Sequence, residues 1–132
     1  MAYLLDTNTL IYLFKNMGKV RQHMAQHKDT DLRLCTPVMW ELLTGAFKAQ
    51  NPSSQLTRLK ELENRFTVLP FDLDSARQAA QTRAHLERMG TPIGNVDTLI
   101  SGIALTQDLT LVTRNTREFE RVPGLRVENW YD

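Results

Sequence analysis

Apolar and polar residues run along this chain in short blocks whose period switches between two kinds. Tyr3-Leu4-Leu5 is a brief apolar run that reads as a buried strand over residues 2–5. Asp6 to Asn8 then supply side-chain oxygens suited to capping a helix over about 9–15. A second helix is expected over 19–27, followed by a short strand at Leu32-Arg33-Leu34-Cys35. Thr36-Pro37 opens the next helix, with Pro where its missing N–H costs nothing. In that helix Met39, Leu42, Leu43, Ala46 and Phe47 recur at helical spacing. Asn51-Pro52-Ser53-Ser54 is a turn and cap, and Leu56, Leu59, Leu62 and Phe66 form the buried face of another helix. Thr67-Val68-Leu69 is a third strand, cut off by Pro70. Asp74-Ser75 is expected to cap a helix over 75–89 that Gly90 closes. After a loop at 91–95, residues 97–106 form an almost wholly apolar helix, which should be central. Leu109 to Thr113 is a strand, 114–119 a loop or short helix, and Leu125 to Glu128 a last edge strand. Strands alternating with helices predict an α/β fold, a central and mostly parallel sheet of about four to five strands flanked by helices.

Bulk composition adds limits rather than chemistry. The 132 residues suit one domain, with no linker or repeat to divide them. With 42% hydrophobic and 23% charged residues, the chain is too apolar for disorder. A net charge of +1 gives no general attraction to polyanions, so any nucleic-acid contact must come from local clusters. Arg114, Arg117, Arg121 and Arg126 form one such cluster, and Arg77, Arg83 and Arg88 a second. Cys35 is the sole cysteine and allows no internal disulfide, which fits a reducing cytoplasm. The opening residues lack a signal-peptide pattern, and no stretch nears the ~20 apolar residues of a membrane span.

Candidate chemistry lies in the acidic residues at element ends. Asp6 ends a strand as a helix begins, which puts a carboxylate at the sheet edge where open α/β folds bind ligands. Its structural reading is a helix cap. Asp97 stands at the start of the central helix, with Asn95 as the expected cap. A charge entering a buried helix calls for a cation or an Arg partner. Asn115 and Glu118 follow the last main strand as Asp6 follows the first. Glu41 shares a helix face with Thr44, Gly45 and Lys48, away from the apolar stripe, and on pattern alone reads as solvated. Gly45 in a helix interior marks close approach by something. His23 and His27 are one turn apart but lack zinc spacing, and read as a helix face. Cys35, inside an apolar strand, reads as a small buried hydrophobe. A shared acidic pocket built for a hard divalent cation is the joint expectation.

With these residues placed, the chain resembles a PIN-domain ribonuclease of the VapC toxin type. The matching segments are Leu5-Asp6-Thr7-Asn8, Glu41-Leu42-Leu43-Thr44-Gly45-Ala46, the stretch Gly90 to Asp97, and Val112 to Val122 leading into Leu125 and Trp130. The resemblance implies a single PIN-like nuclease domain over 1–132, with a three-layer fold. It implies that Asp6, Glu41 and Asp97 converge on Mg²⁺, with Mn²⁺ able to substitute, and so overturns the solvated reading of Glu41. Where the family often has a fourth acidic residue this chain has Asn115, with Glu118 as a substitute and Thr113 as a supporting hydroxyl. Arg114, Arg117 and Arg121 would then hold RNA phosphates. The implied activity is endoribonuclease cleavage of RNA, commonly tRNA and in the nearest subgroup initiator tRNA at the anticodon stem-loop. The implied partners are a VapB-type antitoxin, a second copy of the chain in a homodimer, and operator DNA through the antitoxin alone. Two other readings stay open on the residues: a catalytically weak binding module acting through its partner, and a DNA-directed nuclease.

Overall fold

A computed structural model describes residues 1–132. Five short strands form one sheet: β1 (Tyr3–Leu5), β2 (Leu32–Cys35), β3 (Thr67–Leu69), β4 (Thr110–Val112) and β5 (Val127–Glu128). Their order is β3-β2-β1-β4-β5, and every neighbouring pair is parallel. Seven helices connect and flank them: α1 (Thr7–Phe14), α2 (Val20–Met24), α3 (Thr36–Lys48), α4 (Pro52–Arg65), α5 (Leu73–Arg88), α6 (Asn95–Thr106) and α7 (Thr116–Phe119). A parallel strand needs such crossovers and is then covered on both faces, so it reads as an unbroken apolar run. Leu4, Leu5, Leu34 and Leu111 are accordingly fully buried.

The strand order reverses beside β1. From β1 the chain moves to β2 and β3 on one side, then returns through α5 and α6 to β4 on the other. Such a switch point opens a crevice at the carboxyl ends of the two central strands. Tyr3, Leu4 and Leu5 pair with Thr110, Leu111 and Val112, so Asp6 and Thr113 leave the sheet side by side.

Helix α6 is central as its composition predicts, with Ile100, Ser101, Gly102, Ile103 and Ala104 all buried. Gly102 brings α5 close: a Cβ there would lie 2.6 Å from the Ser75 carbonyl oxygen and 2.8 Å from the Ala79 Cβ.

Several local expectations are corrected. The cap of α5 is Asp72, whose carboxylate accepts from the Ser75 amide at 2.9 Å, and Asp74 lies inside the first turn. Helix α6 starts at Asn95 after Gly94, so Asn95 is its first residue rather than its cap. Helix α2 is five residues long, and His27 lies beyond its end. His23 and His27 instead stack on the buried Trp130 ring, at 5.7 and 4.9 Å between centroids. Phe47 is 66% exposed, so it leaves the apolar stripe of α3. Gly45 meets nothing within 4 Å of a would-be Cβ, which removes the close approach expected there. Cys35 is the inert buried thiol expected, with burial pushing its pKa up to about 12. No helix is long and apolar enough to cross a membrane.

Candidate active site

Asp6 follows β1 directly and is held on two sides. Its Oδ1 accepts the Thr9 amide at 2.8 Å, capping α1, while its own amide donates to the Val112 carbonyl at 3.1 Å. Thr9 also donates its hydroxyl to that carbonyl, at 3.2 Å, which ties the start of α1 to β4. The helix-cap reading of Asp6 is thus correct, and it does not exhaust the residue. Asp6 is 6% exposed, and burial raises its pKa. The Thr113 and Thr9 side chains favour the charged form, and the charge of Glu41 works against it.

Glu41 projects from α3 toward the same crevice. It is half-buried, and its Oε1 accepts a hydrogen bond from the Thr7 hydroxyl on α1. The solvated-face reading of Glu41 therefore fails. Its neighbour lies 34 residues away in sequence, out of reach of any helical-spacing argument.

Asp97 lies in the first turn of α6. Its pKa is pushed up to about 7, first by burial, then by the charge of Glu118, and further by Asp6 and Glu41. Asp97 thus feels three other carboxylates, Asp6 from the junction of β1 and α1, Glu41 from α3 and Glu118 from α7, at one edge of the sheet. Glu118 accepts the Gly94 amide at 3.2 Å and a hydrogen bond from the Asn115 side chain. Asn115 donates its own amide to the Thr113 hydroxyl at 3.0 Å. The fully buried Thr113 therefore links Asp6 to the Asn115–Glu118 turn.

The ion pairs of the chain lie elsewhere, on Lys60, Arg65, Arg77, Arg83 and Arg126. None of the four carboxylates has a Lys or Arg partner. No three of them lie close enough together, as they stand, to hold a metal ion. Like charges at close range repel, and here Thr7 holds Glu41 while Gly94 and Asn115 hold Glu118. The donor set is oxygen only and strongly acidic, which is what a hard divalent cation takes.

The arginines separate. Arg114 is exposed and lies over the Tyr131 ring, Arg121 donates to the Pro92 carbonyl at 3.3 Å, and Arg117 is exposed on α7. Sequence reasoning gives no role to Thr9 or Gly94 and offers Thr7 only as a helix-capping residue, yet each fixes a carboxylate. The only available signal is for Thr9, three residues after a capping Asp.

Fold and site together define an α/β protein with an acidic crevice at the switch point of a parallel sheet. A PIN-domain family model matches residues 3–125. The chain is 36% identical over 130 residues, 98% of each chain, to the tRNA(fMet)-specific endonuclease VapC of Salmonella typhimurium. It is 32% identical over 132 residues to ribonuclease VapC2 of Haemophilus influenzae, again covering 98% of each. The DNA-bound VapBC crystal structure from Salmonella typhimurium superposes with a TM-score of 0.92 at 37% identity, covering 98% of each chain. The chain belongs to the PIN-domain family, and within it to the VapC-type ribonuclease toxins of VapBC toxin–antitoxin systems. Nucleases of the PIN family are typically metal-dependent.

Proposed function

We propose that this chain is a Mg²⁺-dependent endoribonuclease of the cytoplasm that hydrolyses tRNA, and that its whole length works as one nuclease domain. The observation that carries the reading is Asp97 at a sheet edge within the field of Glu118, Asp6 and Glu41, with no basic side chain ion-paired to any of the four. A buried, unpaired negative charge is costly, and a bound cation removes that cost. Asp6, Glu41 and Asp97 would hold the metal. When bound, Mg²⁺, or Mn²⁺ in its place, acidifies water and offsets charge growing on the phosphate.

The protein's own groups do the rest. Thr9 and Thr113 aim Asp6 and favour its charged form against the effect of burial, and Thr7 keeps Glu41 turned into the crevice. Glu118, steadied by the Gly94 amide, adds a fourth negative oxygen pair where Asn115 supplies no charge. Arg114, Arg117 and Arg121 would hold backbone phosphates and offset the repulsion between RNA and an acidic pocket.

Initiator tRNA is the favoured substrate, because a relative at 36% identity is a tRNA(fMet)-specific endonuclease. An anticodon loop offers the unpaired bases that proteins read most readily in RNA. Solved relatives pair VapC with VapB on DNA. That supports a VapB-type antitoxin as partner, a homodimer of this chain within a heterotetramer or larger complex, and operator contact through the antitoxin.

Sequencing the 5′ ends of RNA fragments after induction in cells tests the substrate. A dominant cut in initiator tRNA is expected, and cuts spread evenly over messenger RNA would contradict it. Two further outcomes follow from the site. Because Asn115 spends its side chain on Glu118, Asn115→Ala is expected to weaken cleavage less than Asp97→Ala, and equal losses would make Asn115 a ligand of similar weight. Because Asp97 titrates near pH 7, apparent Mg²⁺ affinity should climb as pH rises through about 7, as a proton leaves the ligand. Calorimetric titration reads this, and an affinity flat from about pH 6 to about pH 8 would remove Asp97 from the ligand set.

A further inference from the structure

Arg114 stands between Thr113, which contacts Asp6, and Asn115, which holds Glu118. An arginine beside an acidic cluster would ordinarily swing onto a carboxylate, since charge-assisted pairs are the strongest hydrogen bonds available to it. Arg114 forms no ion pair. Its guanidinium carbon instead lies 3.6 Å from the centre of the Tyr131 ring and 5.7 Å from that of Tyr12. The two rings meet edge to face at 4.7 Å and 66°.

Tyr131 is itself built in. Its carbonyl accepts the Lys19 amide at 2.8 Å, and its amide donates to Asn129 Oδ1 at 2.8 Å. Gly18, at φ +60°, leaves room for it: a Cβ there would fall 2.6 Å from the Tyr131 carbonyl and 2.7 Å from its ring. The preceding Trp130 is 2% exposed and packs on Tyr3. The C-terminal segment is therefore docked against the turn after α1, and one result is a ring face under Arg114.

We propose that Tyr131 is a positioning residue for RNA, its ring together with that of Tyr12 holding Arg114 off the acidic cluster and presenting it to a backbone phosphate. This rests on the reading of the site as an RNA-hydrolysing centre. Tyr12 also engages the guanidinium through its side chain, and the N–H donors left over form the edge that grips phosphate. Stacking also removes a competitor for the carboxylates that a cation needs. A lysine cannot substitute, because an ammonium has no plane to stack. Holding the side chain in its binding geometry lowers the ordering cost when RNA arrives.

The test is single-turnover cleavage of a tRNA pool in Mg²⁺, with the half-saturating enzyme concentration and the plateau rate read separately. Arg114→Ala, Arg114→Lys and Tyr131→Ala are each expected to raise the half-saturating concentration about tenfold, with the plateau rate changed less than about threefold. The double variant Arg114→Ala with Tyr131→Ala should be no worse than either single variant. The log–log salt slope should drop by about one in each, as for a lost phosphate contact. Tyr131→Phe keeps the ring and should restore wild-type saturation. Independent, multiplying effects in the double variant, or a Tyr131→Ala variant that saturates like wild type, would overturn the proposal. Should Tyr131→Ala fail to fold, Arg114→Lys decides alone, since it leaves the tail untouched, and wild-type saturation there is the contrary result. Wild-type protein that cuts no RNA would instead sink the underlying nuclease reading.

Discussion

Replacing Asp97 with Asn is expected to cut RNA hydrolysis at least about a hundredfold while making the metal-free protein harder to melt at about pH 8. The first effect follows from losing a charged ligand, since even residues that merely support a ligand are worth ten- to a hundredfold. The second follows from the sign of the titration. Asp97 is pushed up to about 7 in the folded chain, above the ~3.9 of an unfolded Asp. Folding therefore takes up a proton between those values. Its stabilising contribution is present at low pH and is lost as pH rises through about 7. Above that, an ionised Asp97 faces Glu118, Asp6 and Glu41 without compensation. Asn removes that repulsion, so melting in EDTA at about pH 8 should occur at higher temperature in the variant, with the advantage shrinking toward about pH 5. An Asp present only to complement the α6 dipole predicts the reverse, because its loss would destabilise the helix. A variant that melts lower than wild type at every pH would therefore contradict the account.

The next largest effect concerns the scaffold. Gly102→Ala is expected to destabilise the protein by about 1–3 kcal/mol in urea denaturation. The added methyl would sit 2.6 Å from a backbone oxygen of Ser75, 2.8 Å from the Ala79 Cβ and 3.0 Å from the Ala79 amide nitrogen. These are not flexible side-chain ends that can step aside, so α5 must move off α6, and α6 carries Asp97. Gly45→Ala is the control. It lies in the interior of α3 with open space where the methyl would go. There Ala gains helix propensity, and stability should rise by up to ~1 kcal/mol. Equal responses at the two glycines would mean that the α5–α6 contact is looser than its geometry.

Sequence and structure agree where local chemistry decides and part where distant contacts do. The strands were legible because a parallel sheet buries both faces, so Tyr3-Leu4-Leu5 reads as an unbroken apolar run and Leu109 to Val112 as one interrupted only by the buried Thr110. Asp6 was legible for the same reason, as the first charge after such a run. Glu41 was not, because helical spacing assigns it to solvent and only a hydroxyl 34 residues away brings it in. The resemblance, not the pattern, supplied that residue. Asp72 and Asp74 are equally good caps by type, and the choice between them depends on how the chain turns from the end of β3 at Leu69 into α5. Phe47 fits the α3 stripe by spacing, yet the neighbouring helices do not extend over it. Asn115 illustrates the remaining gap: its bond to Glu118 is local, but its consequence, a steadied carboxylate opposite Asp97, is a property of the folded crevice.

The central claim is that these carboxylates hold a cation that drives RNA cleavage. The most direct measurement is incubation of a purified tRNA pool with the wild-type chain and with Asp6→Asn, each in Mg²⁺ and in EDTA. Discrete loop cleavage is predicted only for the wild type in Mg²⁺. Cleavage that persists in EDTA, or that survives Asp6→Asn, would contradict it.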